Sequence, residues 1–146
     1  MAHIPTYCDG CYRSVLRLAT DIRQSVATCA DCGGEARPIP GSSYGVDDVS
    51  LYAELATALR EGGMTPWNAQ QLLYQATIRP HAAPGQLLTH LSLTMPSLAV
   101  LLEIGRRPHA RRKADGMLVT LLRGFSSGGL RISAVKKSSG SGSDQA

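Results

Sequence analysis

Aromatic residues are scarce in this chain. They make up 5% of its 146 residues, with one Trp and one Phe. Strands favour aromatic and β-branched side chains, whereas leucine and alanine are good helix formers. Leucine and alanine must therefore fill most of the core, which favours helices. The length suits one domain, or one small module beside a modest helical core.

A long apolar run and an export signal are also missing. The most apolar stretch, residues 86–104, is interrupted by His90, Pro96 and Glu103, whereas a membrane span needs about 20 mostly apolar residues. The first seven residues contain neither a basic nor an apolar signal region. We therefore expect a cytoplasmic protein that has no membrane partner and keeps its cysteines reduced.

Motifs of catalysis are absent as well. The sequence contains no G-x-S-x-G, Walker loop or H-E-x-x-H pattern, and its four histidines are scattered. All four cysteines belong to the two C-x2-C pairs described next, so none is left over as a nucleophile. The sequence thus predicts a protein that is not an enzyme.

Two cysteine pairs are the clearest motif that is present. Cys8 and Cys11 form the first, Cys29 and Cys32 the second, and seventeen residues lie between them. A two-residue insertion lets both thiolates of a pair face one ion, and four thiolates fill a tetrahedral site without a position for water. The pattern predicts one structural Zn²⁺. Iron takes the same ligands, and two disulfides are a further alternative that requires an oxidising compartment.

The residues around these pairs resemble the zinc-ribbon class of domains, which is rubredoxin-like. The resemblance covers residues 5–40, and Gly33 directly after the last cysteine is typical of it, whereas Tyr12 stands where the first pair often has glycine. It implies a small β-rich fold that a zinc ion holds together, and it suggests contact with nucleic acid or protein. The two motifs are Tyr7-Cys8-Asp9-Gly10-Cys11 and Cys29-Ala30-Asp31-Cys32-Gly33-Gly34.

Behind the ribbon, the pattern changes to helical spacing. Apolar residues recur three and four positions apart, and prolines and capping residues mark the starts of four to five helices. Asp47 or Asp48 can cap the first helix, and the Thr65 hydroxyl can cap a second that begins at Pro66. The predicted fold is a small zinc ribbon followed by an all-α helical bundle. Later starts are marked by Pro84, Pro96 and Pro108.

These patterns divide the chain into five parts. Residues 1–40 are the zinc ribbon, residues 41–46 a linker and residues 47–125 the helical domain. Residues 126–137 are a basic extension in which a short strand fits the pattern. The Ser/Gly-rich residues 138–146 are predicted to be a disordered tail.

Positive charge is concentrated near the C-terminus. Residues 46–105 carry two basic and five acidic residues, a net charge of −3, and residues 106–146 carry nine basic and two acidic residues, a net charge of +7. Guanidinium groups suit phosphate oxygens, so we expect contact with DNA or RNA and a role in regulation, such as that of transcription. The predicted contacts are Arg106, Arg107, Arg111, Arg112 and Lys113.

Two alternatives stay open for these basic residues. They could pair with the acidic residues of 46–105, or they could form a solvated charged loop. In either case they would serve only solubility or orientation. The protein would then be an adaptor that binds another protein through its ribbon and helical surface, with no nucleic-acid role.

Overall fold

We describe the protein from a computed structural model. The structure describes the residue ranges given at the end of this paragraph. Within those ranges it describes the backbone everywhere, and the side chains everywhere except at residues 76–78 and after residue 126. The structure describes residues 2–8, 10–11, 13–20, 28–29, 31–39, 43–78, 85–139, 141–142 and 144–145.

The N-terminal part forms a small antiparallel sheet. Its strands are β1 (His3–Cys8), β2 (Ser14–Leu18) and β3 (Ala36–Pro38), and β1 lies in the middle. Tyr7 of β1 pairs with Ser14 of β2, and Cys8 pairs with Ala36 of β3. The β-rich character that was predicted for this part is confirmed.

The remainder is helical, as predicted, with five α-helices among the described residues. Short 3-10 turns, Val46–Asp48 and Pro96–Leu98, precede the first and the fourth helix. None of the helices within the described ranges combines the length and apolar character that crossing a membrane requires. The helices are α1 (Val49–Glu61), α2 (Pro66–Ile78), α3 (Gln86–Thr94), α4 (Val100–Gly105) and α5 (Ala110–Ser139).

The last helix is longer than the sequence suggested. Residues 126–137 lie within α5, where the pattern had allowed a short strand. Extending an existing helix adds one hydrogen bond for each residue fixed, which is easier than starting a new element. Two two-residue strands follow, β4 (Ser141–Gly142) and β5 (Asp144–Gln145). The division into domains and the disorder of residues 138–146 stay predictions.

The first two helices begin differently from each other. The Thr65 hydroxyl accepts the Asn68 N–H at 3.1 Å, and Pro66 is the first residue of α2, as predicted. Asp48 stands at the N-cap of α1 but makes no capping hydrogen bond there, so the predicted carboxylate cap is wrong. Its carboxylate instead pairs with the Lys113 ammonium at 2.5 Å, since a cationic partner on α5 competes with the backbone amides.

The start of α3 is capped by a residue from another helix. The two carboxylate oxygens of Asp115, on α5, accept the N–H groups of Gly85 and Leu88, each at 3.0 Å. A carboxylate here satisfies amides that have no partner within the helix, and its charge opposes the positive end of the helix dipole. The cap therefore fixes α3 to α5.

Replacement of this cap should measurably destabilise the protein. We expect Asp115→Ala to cost about 1–2 kcal/mol, because two helix-end amides lose their acceptor. Urea unfolding followed by far-UV circular dichroism measures the loss. Asp47→Ala is the matched control, since Asp47 is exposed and is not the N-cap residue of either the 3-10 turn or α1. Equal midpoints for the two variants would contradict the capping role.

The sheet and the helices share one hydrophobic core. Tyr7 of β1 and Ile39 after β3 belong to the same buried cluster as the leucines of α1, α3, α4 and α5. The Tyr7 ring meets the edge of Phe125 at a centroid distance of 5.6 Å. A Cβ on Gly124 would lie 2.6 Å from Ile39 Cδ1, so glycine lets the sheet approach α5 closely.

Two hydroxyl contacts reinforce this packing. The Ser14 hydroxyl donates to the Thr6 carbonyl at 3.1 Å, so it accepts the Tyr52 hydroxyl at 3.0 Å. The Tyr52 pKa is raised by burial, which keeps this phenol protonated. The Tyr44 hydroxyl lies 3.1 Å from Thr120 Oγ1 on α5. These contacts fix the sheet, and with it the cysteine turns, to α1 and α5.

Candidate metal centre

The fold brings the two cysteine pairs together. The four Sγ atoms, of Cys8, Cys11, Cys29 and Cys32, all lie within 4.8 Å of one another. The Sγ atoms of Cys8 and Cys32 are 3.4 Å apart, and those of Cys11 and Cys29 are 3.5 Å apart. Four sulfurs at about 2.3 Å from one ion would be about 3.8 Å apart. The cluster therefore has the size of a single tetrahedral metal site, with all four thiols free.

Each pair lies in a tight turn closed by backbone hydrogen bonds. In the first turn, Cys8 N–H donates to Arg13 O at 2.9 Å, which closes the hairpin between β1 and β2. In the second turn, Cys29 N–H donates to Gly34 O at 2.8 Å and Gly33 N–H donates to Cys29 O at 3.0 Å. The pairing of β1 with β3 sets the two turns side by side.

Glycines allow the turns to approach the sulfurs. Gly33 has a φ of +74°, which favours glycine. Gly10 and Gly34 do not adopt a positive φ, and their role is a different one. A Cβ on either residue would lie 3.3 Å from the Cys32 Sγ, a closer contact than a side chain normally makes. These two positions keep space open beside the sulfurs.

Backbone N–H groups point at the sulfurs of Cys11, Cys29 and Cys32. The N–H groups of Cys32 and Asp31 donate to Cys29 and lower its pKa to about 7. Burial raises the pKa of Cys11 to about 12, against the N–H of Arg13, which lowers it. A bound divalent cation would deprotonate these thiols outright, so the raised pKa of Cys11 is no obstacle to coordination. The N–H donors then stabilise the thiolates.

The cluster lies at the surface with one side covered. Cys8 and Cys29 are buried, Cys11 is half-buried and Cys32 is exposed. Because an approach from solvent exists at Cys32, an ion can reach the site. The four cysteines are thus positioned to bind one metal ion, and a four-thiolate donor set is consistent with zinc.

The basic residues predicted to contact phosphate are all exposed, on the connection between α4 and α5 and on the first turn of α5. Three of them pair with carboxylates of residues 46–105, as the first alternative expected for the whole set. Two of these pairs reach α1 or the turn before it. The pairs are Arg106–Glu103 at 2.8 Å, Arg107–Glu54 at 2.6 Å and Lys113–Asp48 at 2.5 Å.

The other two predicted contact residues, Arg111 and Arg112, differ from these three in their ion pairing. Arg111 and Arg112 form no ion pair within the part of the chain that the structure describes. By contrast, the hydrogen bond with Glu54 raises the pKa of Arg107. The sequence had grouped all five residues because they are close along the chain. The acidic character of residues 46–105 was the signal for the ion pairs, but it does not tell which arginine pairs.

Candidate catalytic groups do not converge among the described residues. His3 lies on β1, His90 on α3 and His109 just before α5. His81 lies outside the described residues. That the protein is not an enzyme stays a prediction.

Comparison of the chain with protein-family models, with curated proteins and with solved structures finds no match in any of the three. The metal centre is therefore assigned by the chemistry of its four sulfurs. The resemblance to zinc ribbons depends on the residues of the two turns and on the small antiparallel sheet that carries them.

Proposed function

We propose that this is a non-enzymatic, zinc-binding regulatory protein that contacts nucleic acid. The N-terminal sheet would be a zinc ribbon with one structural Zn²⁺ on Cys8, Cys11, Cys29 and Cys32. The contact with nucleic acid would be made by residues 106–113, called the basic segment below.

The donor set supports a structural role for the ion. Four sulfur ligands complete a tetrahedral sphere, so no position is left for a water molecule or a substrate. The ion would link the turn after β1 to the turn before β3, which the sequence separates by seventeen residues. Its contribution is the free energy of holding these turns together.

The observation that carries the nucleic-acid proposal is the exposure of arginines that have no acidic partner among the described residues. Arg111 and Arg112 are exposed and make no ion pair with any described residue. Arg106 forms an exposed pair with Glu103, and such pairs contribute at most about 1 kcal/mol. A phosphate can replace that carboxylate at little cost. Guanidinium groups also bind phosphate oxygens through two parallel hydrogen bonds.

A salt series on the zinc-loaded full chain tests this function. We expect fluorescence anisotropy to show binding to labelled single-stranded DNA, duplex DNA and RNA at low salt. On duplex DNA the logarithm of affinity should fall against the logarithm of salt with a slope of about −2 to −4, as expected for a few neutralised phosphates.

A variant that changes all five basic residues of the segment to glutamine should bind at least about tenfold more weakly. Because this variant also loses the ion pairs with Glu54 and Asp48, circular dichroism must establish that it is folded. Absence of binding at low salt, or undiminished affinity of this variant, would rule out the nucleic-acid role.

One face of α2 favours the adaptor as a second candidate. Helix α2 has no charged residue, and its Trp67 and Tyr74 are 66% and 65% exposed. Seven positions apart, they share a helix face. Protein interfaces are enriched in Trp and Tyr and depleted of charge. Trp67 is the sole tryptophan of the chain, so a partner that covers this face would shift the emission to shorter wavelength.

A further inference from the structure

A small cleft lies where the basic segment meets the helices. Its volume is about 200 Å³, below the range of about 300–1,000 Å³ that is usual for sites of drug-sized ligands. It has room for one small group and not for a large molecule. It is lined by Leu88 and Thr89 of α3, Leu102 and Gly105 of α4, and the side chains of Arg106 and Arg111.

The lining of this cleft is positively charged on an apolar base. Arg106 and Arg111 are its charged members, and none of the described residues that line it is acidic. Leu88 is buried, and a Cβ on Gly105 would lie 2.6 Å from its Cδ2, so the two helices are in close contact beneath the cleft. The Thr89 hydroxyl donates to the Gly85 carbonyl at 3.0 Å. An apolar wall strengthens the attraction of the guanidinium groups for an anion.

Arg111 is held in place by packing, and none of the described residues is its acidic partner. A Cβ on Gly85 would lie 3.0 Å from its Nε, so the side chain passes directly over this glycine. Asp115, one turn further along α5, directs its two carboxylate oxygens to the N–H groups of Gly85 and Leu88. The ion pairs of the described residues include none between Asp115 and Arg111. The guanidinium is therefore positioned and available.

Arg106 can turn from its carboxylate partner to an anion at little cost in free energy. Its pair with Glu103 spans three residues, and the side chains of Arg106 and Glu103 are 74% and 66% exposed. One guanidinium nitrogen serves that contact, and the group has further N–H donors for an anion.

The geometry points to a two-arginine subsite, formed by Arg106 and Arg111, that binds one phosphate group in the cleft between α3 and α4. This inference rests on the proposed nucleic-acid function and divides the basic segment into two roles. Arg107 and Lys113 fasten the segment to α1 and the turn before it, and Arg112 adds exposed charge. The phosphate could belong to a nucleic-acid backbone or be free, and the experiment distinguishes the two sources.

Single-residue variants of the zinc-loaded full chain test the subsite. We expect Arg106→Gln and Arg111→Gln each to weaken binding of a labelled oligothymidine roughly tenfold and to lower its salt slope by about 0.7. Arg60→Gln, on α1, is the control for loss of one charge and should stay within about twofold. Arg107→Gln should resemble this control in affinity but lower the melting temperature, since it breaks the pair with Glu54.

Inorganic phosphate provides the second arm. In amide NMR spectra recorded in phosphate-free buffer, added phosphate should shift the signals of Thr89, Gly105 and Arg106, and Arg111→Gln should abolish these shifts. If the protein binds oligothymidine but both cleft variants match Arg60→Gln, the subsite is wrong and the proposed function stands. If oligothymidine does not bind but phosphate shifts these amides, the proposed function fails and the cleft is a site for free phosphate.

Discussion

Removal of the metal ion should unfold the N-terminal sheet and cost the protein roughly 5 kcal/mol or more. The sheet consists of strands of six, five and three residues, which is too little to be stable alone. In isolated zinc-finger peptides the ion supplies about 10–16 kcal/mol. We expect less here, because Tyr7 and Ile39 also bury themselves against the helices.

The measurement combines metal content with local stability. Elemental analysis should find one zinc per chain, and a strong chelator or Cys29→Ser should remove it. Hydrogen exchange should then become fast in β1 and β3 while the amides of α1 stay protected for longer. Asp31→Ser is the matched control, because it changes the same turn and loses the pair with Arg13 but keeps all four sulfurs.

Two results would contradict the metal site. A chelated protein with unchanged exchange in β1 would show that the ion does not hold the sheet. Absence of reactive thiols in the protein as purified, with no metal, would identify the four cysteines as two disulfides. Iron in place of zinc would leave the structural prediction intact and change only the identity of the ion.

The sequence predicts those features of the fold that depend on neighbouring residues. The start of α2 follows from Thr65 and Pro66, which cap and open the helix within one turn. The cysteine pairs are likewise visible, because each two-residue insertion lies within one hairpin turn. Such signals need no knowledge of the rest of the chain.

Features that depend on distant residues could not be predicted. The cap of α3 comes from Asp115, about thirty residues from Gly85 along the chain. Asp48 is a good capping residue by type, but Lys113 on α5 takes its carboxylate. The same holds for the basic segment, since the helices of residues 46–105 decide which of its charges find an acidic partner.

The contact between the sheet and α5 decides whether the protein has two units or one. Residues 1–40 and 47–125 look separable along the sequence, yet Phe125 and Tyr7 meet at 5.6 Å, and Tyr7 directly precedes Cys8. If the sheet depends on this contact, a change on α5 must also affect the metal site. The domain division can therefore be tested from the helical side.

Phe125→Ala should cost about 3–5 kcal/mol and speed the loss of zinc to a competing chelator. Phe125 is 1% exposed, so truncation leaves a cavity between Tyr7 and α5. Phe125→Leu keeps most of the volume and should cost less than about 1.5 kcal/mol. Leu91→Ala, in the core on α3, is the control that destabilises the protein away from the sheet. It separates general destabilisation from a specific effect of Phe125 on the metal site. Zinc release that is equally fast in Phe125→Ala and in Leu91→Ala of matched stability would show that the sheet holds its ion without help from α5.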